Sequence, residues 1–208
     1  MWKKIALITI LTTATLQLTA QTQTLDDRVK RARAMLLDKN FKGALAEFDK
    51  VLAADPTHLE ARIDRLKALK ALKMDGELQK FSKRSKSNSA QDHILDAQLS
   101  MVNRKMPDAE ASLKQAMNMD KKAYMAPYMM GVIQKIKKNP NGAITHFKTA
   151  ITANAKFPES YYELGDIYYA QGNTGQAVTY WKKYIDLIPR TGKRYQYVNT
   201  KLRQLGGS

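Results

Sequence analysis

The chain contains no cysteine among its 208 residues and only three histidines. Without cysteine there is no disulfide, no thiolate metal site and no thiol nucleophile, so packing alone has to stabilise the fold. The histidines, His58, His93 and His146, lie far apart in the sequence and lack the HxxxH or HExxH spacing of a zinc hydrolase. We predict no metal and no cofactor, and we expect each histidine to be a surface or packing residue.

The usual catalytic motifs are also missing. The sequence has no GxSxG element and no glycine-rich phosphate loop. Glu159, Glu163 and Asp166 form one acidic group, and paired carboxylates can act as acid and base. A solvated helix face accounts for the same spacing. The sequence therefore predicts that the protein is not an enzyme.

Glycine and proline are scarce, with ten glycines and six prolines, and no stretch rich in them forms an interdomain linker. The one polar, serine-rich stretch covers residues 82–89. It is either a frayed helix end followed by a loop, or a hinge between two halves of one domain. We predict a single domain over residues 21–208.

Acidic residues are few relative to basic ones: 19 against 35, which gives a formal net charge of +16. The excess is uneven, because residues 124–157 contain five lysines and no acidic residue. Such a field favours anionic partners, although lysines on a solvated outer face give the same composition. No zinc spacing, basic helix-turn-helix signature or aromatic–arginine strand pattern accompanies the charge, so we do not predict nucleic acid as the partner.

One long apolar run is free of charge, and it lies near the N-terminus. Lys3 and Lys4 precede this run over residues 5–18, and Thr19-Ala20-Gln21 follows it. This layout is typical of a secretory signal peptide, and we expect cleavage after Ala20. An uncleaved membrane anchor needs roughly 20 apolar residues, which the run does not reach. No cysteine follows for lipid attachment, so we predict a signal peptide over residues 1–20 and a periplasmic or secreted protein.

A period of 34 residues runs through the rest of the chain. The pairs that show it best are Gly131 and Gly165, Ala143 and Ala177, and Phe147 and Trp181. A fixed period of this length indicates helical hairpins stacked into a solenoid. The repeat frame gives units over 25–58, 59–89, 90–123, 124–157 and 158–191, followed by a closing amphipathic helix over 193–205. The second unit has only 31 residues, which predicts a shortened second helix around Leu78 and Phe81.

The last unit identifies the type of hairpin. Its key residues, in order, are Tyr161, Leu164, Gly165, Tyr168, Ala177, Trp181, Tyr184 and Pro189. This run resembles the tetratricopeptide repeat (TPR), most closely in 158–191 and least in 59–123. The resemblance implies an all-α, right-handed solenoid of about five hairpins that acts as a non-catalytic protein-interaction scaffold. Together with the N-terminal segment it is similar to exported bacterial TPR proteins.

Local signals agree with helical hairpins. Gly165 and Ala177 are small enough to let two helices approach closely, and Trp181 is large enough to fill the space beside that contact. Thr57 and Ser89 each precede an acidic residue by three positions, which is the spacing of a helix capping box. Pro158 suits the first position of a helix. Two further segments, 40–43 and 172–175, are predicted to be turns between paired helices.

The resemblance also implies a binding face. In TPR arrays the first helix of each hairpin lines a concave groove, and positions spaced by four and then three residues point into it together. In the last three units these positions are Ile94, Gln98 and Met101; Tyr128, Val132 and Lys135; and Tyr162, Asp166 and Tyr169. We predict that Tyr162 and Tyr169 anchor a partner segment. We also expect Lys67, Lys70 and Lys135 to bind acidic side chains or a terminal carboxylate.

Two functions of different class fit these observations. The first is a scaffold or adaptor of the cell envelope that binds a protein or peptide partner, acidic in character, in its groove. The second is a subunit held by its positive charge to an anionic envelope surface of lipid, lipopolysaccharide or cell-wall polymer. A clamp for a chaperone's C-terminal carboxylate is not predicted, because no first helix contains an asparagine.

Overall fold

A computed structural model describes residues 24–84, 89–190 and 192–206 of the chain. Within these ranges every regular element is a helix, which confirms the all-α helical-repeat class. The described chain divides into two compact units, the first ending at Asp75 and the second beginning at Gly76. The predicted signal peptide lies outside the described residues, as does the centre of the serine-rich stretch, so both stay predictions.

The first unit contains three helices. They are α1 over residues 24–37, α2 (Phe41–Ala54) and α3 (Leu59–Ala71). Its core consists of small and large apolar side chains, with Phe48 and Val51 of α2 packed beside Val29 and Ala32 of α1. The small side chains let neighbouring helices approach closely, and the large ones fill the remaining space and exclude water.

The second unit carries the remaining helices. Helix α4 (Asp75–Arg84) starts at the division and is followed by α5 (Ala90–Val102), α6 (Met106–Met119), α7 (Met125–Ile136), α8 (Pro140–Ala153), α9 (Pro158–Ala170), α10 (Thr174–Leu187) and α11 (Lys193–Gln204). From α5 to α11 each helix packs against the next one in the sequence. These helices are therefore stacked hairpins closed by a single last helix, as the period predicts.

The turns that follow α1, α3, α5, α7 and α9 have the same backbone geometry. One residue in each turn has a positive φ, and these residues are Lys39, Lys73, Arg104, Lys138 and Gly172. Around Lys138, for example, its own N–H bonds to the Lys135 carbonyl and the next N–H bonds to the Gln134 carbonyl. This pair of bonds is a Schellman motif, which satisfies carbonyl groups at the end of the first helix.

Both turns lie slightly earlier in the sequence than predicted, because the later residues of segments 40–43 and 172–175 already belong to the next helix. Asn40 is the N-cap of α2, so the residues after it already form the first helical turn. In the last hairpin Asn173 has the same role for α10. The asparagine side chain accepts a bond from a free backbone N–H, which fixes the start of the helix.

The three residues missing from the second unit come from its second helix or the segment after it. The second helices of the other hairpins, α2, α6, α8 and α10, have 14 residues each, whereas α4 has 10. The positive-φ residues Lys39 and Lys73 remain 34 positions apart, while Lys73 and Arg104 are only 31 apart. The turn positions agree with a 31-residue second unit, whereas the shortened helix stays a prediction, since residues 85–88 after α4 lie outside the described part of the chain.

Of the two predicted capping boxes, one is confirmed and one is wrong. Ser89 caps α5, since its hydroxyl accepts a bond from the Asp92 N–H at 3.2 Å. Thr57 does not cap α3, because both its N–H and its hydroxyl bond to Asp55. The cap is His58, whose Nδ1 accepts from the Ala61 N–H at 3.4 Å. Pro158 begins α9 as predicted.

Close helix approach in the last two hairpins depends on glycine. A methyl group at Gly165 would lie 2.2 Å from the Trp181 ring, and one at Gly131 would lie 2.6 Å from the Phe147 ring. Both rings are fully buried. A side chain at either glycine would therefore force a core aromatic to move, which explains why these positions stand 34 residues apart in the repeat.

Candidate partner-binding face

Three contacts show that helices α7, α9 and α11 of the second unit lie side by side. Lys135 of α7 is paired with Glu163 of α9. The Arg194 guanidinium of α11 lies 4.1 Å from the centre of the Tyr162 ring, and Lys201 Nζ lies 4.9 Å from that of Tyr169. Helices α7, α9 and α11 thus form one row, and the predicted groove positions lie along its contacts.

Asp166 occupies the middle of this row and is half-buried. Trp181 Nε1 donates a hydrogen bond to Asp166 Oδ1 at 3.3 Å, and the Tyr162 hydroxyl donates a second one. Burial raises the pKa of the Asp166 carboxyl, because the charged form loses water. This aspartate fixes Trp181 and Tyr162 and is less available to a partner than the sequence implies.

Other side chains of the protein cover part of each tyrosine that is predicted to anchor a partner. The Tyr162 ring packs 5.2 Å from that of Tyr184, and the Tyr169 ring packs 5.3 Å from that of Trp181. Lys201 Nζ also donates to the Tyr169 hydroxyl at 3.2 Å. Both tyrosines remain half-buried, so one side of each ring belongs to the core and the other side faces the row.

Helix α7 contributes the most accessible apolar surface. Tyr128 is half-buried against Phe147 and Phe157, at 5.7 and 4.9 Å between ring centres, and Val132 is half-buried as well. Ile136, one turn after Val132, is 55% exposed. Residues four apart share a helix face, so Val132 and Ile136 form an apolar step beside the paired Lys135.

Helix α5 has fewer accessible side chains at its predicted binding positions than the sequence suggested. Ile94 is fully buried and Gln98 is only 4% exposed, so both side chains belong to the core and cannot contact a partner. Met101 is half-buried and remains a candidate. The equal spacing in the sequence hides this difference, because burial depends on the neighbouring hairpins and not on the position within the helix.

In the first unit the two predicted lysines form ion pairs inside the chain. Lys67 Nζ lies 2.6 Å from Asp64 Oδ1, and Lys70 Nζ lies 3.2 Å from Asp75 Oδ1. Asp64 is buried and also receives Arg33 Nε at 2.5 Å. Burial alone would raise the pKa of Asp64, but the charges of Arg33 and Lys67 outweigh it and hold the pKa at about 2. Arg33 and Lys67 therefore stabilise the fold through a buried carboxylate, whereas the exposed pair of Lys70 contributes little.

The described residues contain no group of three or more histidine, aspartate or glutamate side chains that could hold a metal ion. His58 caps α3 and lies 3.3 Å from Asp26, so its role is structural. Burial lowers the pKa of His146, which lies near Glu110. None of the helices in the described ranges has the length and apolarity that a bilayer crossing requires.

Three residues of this face were not singled out from the sequence: Ile136, Arg194 and Lys201. The signal for the last two was present, since Arg194 and Lys201 are seven residues apart, as are Tyr162 and Tyr169. Two helices with matching seven-residue spacing can meet at two points. The sequence could not show that α11 lies beside α9 in this register.

A separate open depression of about 330 Å³ lies on the first unit, between α2 and the turn after α3. Leu45, Ala46, Leu72 and Met74 supply its apolar lining. Its position on a second helix places it away from the predicted first-helix residues. Asp49 at its edge is already paired with Arg65 at 2.6 Å.

Comparison with known proteins supports the repeat assignment. A family model described as TPR repeat matches residues 137–187, which span the turn after α7 and the helices α8, α9 and α10. No curated protein sequence matches the chain.

Solved structures with the same fold include several TPR proteins. PilW, a type IV pilus biogenesis factor, is 19% identical, with a TM-score of 0.56 over 89% of this chain and 88% of that one. TTC0263, a thermophilic TPR protein of Thermus thermophilus, is 14% identical, with a TM-score of 0.58 over 86% and 99%. PilF of Pseudomonas aeruginosa is 16% identical, with a TM-score of 0.55 over 90% and 87%. At these identities the likeness is one of fold.

The stacked hairpins and their shared turns define a helical-repeat protein. The matched family model identifies a TPR repeat in residues 137–187, and these neighbours show that the chain shares the fold of TPR proteins. TPR repeats are in general non-catalytic scaffolds that bind protein or peptide partners. The resemblance inferred from residues 158–191 is thereby confirmed.

Proposed function

We propose that this TPR protein is a non-catalytic interaction scaffold or adaptor of the cell envelope that binds a partner segment along the row of first helices. The observation that carries the proposal is the accessible apolar step on α7, where Val132 and the 55% exposed Ile136 lie beside the Lys135–Glu163 pair. Apolar surface next to polar rims is typical of protein interfaces.

The envelope location depends on the pattern of residues 1–20, with two lysines before a charge-free apolar run. A periplasmic or secreted protein of this kind meets the envelope's assembly systems, and one fold neighbour is described as a type IV pilus biogenesis factor. We extend to this chain a role of that general type, without a named pathway.

Site-specific crosslinking tests the scaffold function. A photo-crosslinking amino acid at position 136 should capture one discrete partner in the envelope fraction of cells that produce the protein. The same amino acid at position 119 is the matched control, because Met119 is a 52% exposed side chain at the end of a second helix. Val132→Ser should weaken capture through position 136. The same products from both positions, or none from position 136, would refute the proposal.

The second candidate is a subunit attached to an anionic envelope surface. It is favoured by the basic face of the fourth hairpin, where Lys138 and Lys156 are exposed and form no ion pair with another described residue. In this mode the partner is lipid, lipopolysaccharide or cell-wall polymer, and attachment is electrostatic. Vesicles containing phosphatidylglycerol should then bind the protein, with a steeper salt dependence than binding that includes the apolar step on α7.

A further inference from the structure

The closing helix α11 carries two cations that face the groove tyrosines. Arg194 and Lys201 are seven residues apart on α11, and they contact Tyr162 and Tyr169, which are seven residues apart on α9. Two parallel cation–π contacts therefore join the helices. Seven residues correspond to about 10.5 Å along a helix, so the two cations form a pair of fixed spacing.

These cations differ from Arg33, Lys67 and Lys135 at the groove positions of the first helices. Arg33, Lys67 and Lys135 each have a carboxylate partner. Arg194 and Lys201 have no carboxylate of the described residues within 4.0 Å. Their neighbours are tyrosines, since the Tyr184 hydroxyl bonds to Arg194 and the Tyr169 hydroxyl accepts from Lys201.

Cations held in this way keep donors for a ligand. Arginine has five N–H donors and an ammonium group has three, whereas a ring contact occupies the face of the cation and a single hydroxyl occupies one donor. The tyrosine rings limit the motion of both side chains, so a ligand would not have to order them. Helix α11 contains four basic residues and no acidic one, which adds to the positive field.

We propose that Arg194 and Lys201 form a two-point binding site for an acidic protein segment whose carboxylates lie about 10 Å apart. This inference rests on the scaffold function above and names the chemistry of its partner. In a helix, two residues seven apart meet the spacing on one face, at about 10.5 Å. In a polyproline II segment, two residues three apart meet it at about 9.3 Å.

The acidic groups that face the site come from α9. Glu163 is engaged by Lys135, and Asp166 accepts bonds from Trp181 and Tyr162. Glu159 lies close enough to influence Tyr184. These negative charges repel an acidic ligand. Asp166→Asn should therefore raise the affinity for such a ligand, whereas replacement of Arg194 and Lys201 should lower it.

Binding of labelled peptides to the full chain tests the proposal. The probes are an alanine-rich helical peptide with glutamates seven apart, its glutamine counterpart, and a peptide of equal charge with the glutamates two apart. A proline-rich peptide with aspartates three apart forms a second arm. At about 0.1 M salt the correctly spaced diacids should bind about tenfold more tightly than the glutamine and misplaced-charge peptides.

Substitutions locate the site. The double variant Arg194→Gln and Lys201→Gln should lose this tenfold preference, whereas Arg203→Gln, an exposed cation of the same helix, should keep it. If the double variant unfolds, the comparison of spacings on the unchanged protein still decides the question, together with Asp166→Asn. Equal binding of all peptides, or an equal loss with Arg203→Gln, would overturn the two-point site.

Two further results separate this inference from its competitors. Binding to phosphatidylglycerol vesicles that depends on Arg194 and Lys201, without any peptide preference, would replace the acidic segment by a membrane surface. If the double variant still crosslinks the partner through position 136, and the peptides show no spacing preference, the two-point site fails while the scaffold function stands.

Discussion

At the scale of single residues, ion pairs determine whether a buried side chain stays charged. Asp64 is buried, yet it stays ionised because Arg33 and Lys67 both contact it. The predicted role of Lys67 in binding an acidic partner does not allow for this neighbour, which lies only three positions before it. A lysine and a carboxylate at this spacing share a helix face, so the sequence contained the signal for an internal pair.

The pH dependence of stability follows from Asp64. Its pKa is about 2 in the fold against an ordinary aspartate value of 3.8, so its contribution is present above about pH 4 and disappears as the pH falls toward 2. The contribution is about 2 kcal/mol. Asp64→Asn should lower the free energy of unfolding by about 3 kcal/mol at about pH 7, because Arg33 and Lys67 lose a buried partner.

Urea denaturation of both proteins across this pH range checks the prediction. The difference between wild type and Asp64→Asn should shrink as the pH falls below about 4. Asp49→Asn is the control, since Asp49 is exposed in its pair with Arg65 and should cost about 1 kcal/mol or less. A constant difference at all pH values would contradict the assigned role.

At the scale of elements, the hairpin turn is the repeated unit of construction. In four of the five turns after α1, α3, α5, α7 and α9 the positive-φ residue is lysine or arginine, and only the last turn has a glycine, Gly172. The left-handed region costs an ordinary residue about 1–2 kcal/mol, and glycine avoids this cost. The period predicted the hairpins, but not these turns, because the basic residues there give no turn signal by composition.

Lys138→Gly should therefore stabilise the protein. The expected gain in the free energy of unfolding is about 0.5–1 kcal/mol, after the larger unfolded-state entropy of glycine is subtracted. Lys121 is an exposed turn residue without a positive φ, and Lys121→Gly should lower stability instead. Urea unfolding of the two variants measures both changes in the free energy of unfolding. A loss of stability in Lys138→Gly would contradict the assigned cost of the positive φ at Lys138.

For the whole molecule, the formal charge of +16 predicts different salt dependences for the two proposed modes of association, attachment to an anionic surface and binding of a partner segment. Attachment through exposed lysines should weaken more than tenfold between about 0.1 and 0.5 M salt, because screening shortens to a few ångströms. Crosslinking through position 136 should weaken less over this range, because salt does not screen the contribution of the apolar step. Vesicle cosedimentation and crosslink yield measure the two modes in parallel, and equal loss of both would assign the partner to the surface charge.

The repeat, its length, the short second unit, the close approach of helices at Gly165 beside Trp181, and the closing helix follow from the amino-acid sequence alone. These features are periodic or local, and a period of 34 residues places the same columns on the same helix faces wherever the hairpins stack. Which of those columns a partner can reach depends on the packing of the helices. Ile94 and Gln98 are buried, Lys135 is paired with Glu163 of α9, and α11 places Arg194 and Lys201 against Tyr162 and Tyr169. Each of these outcomes depends on the side chain that a neighbouring helix brings into contact.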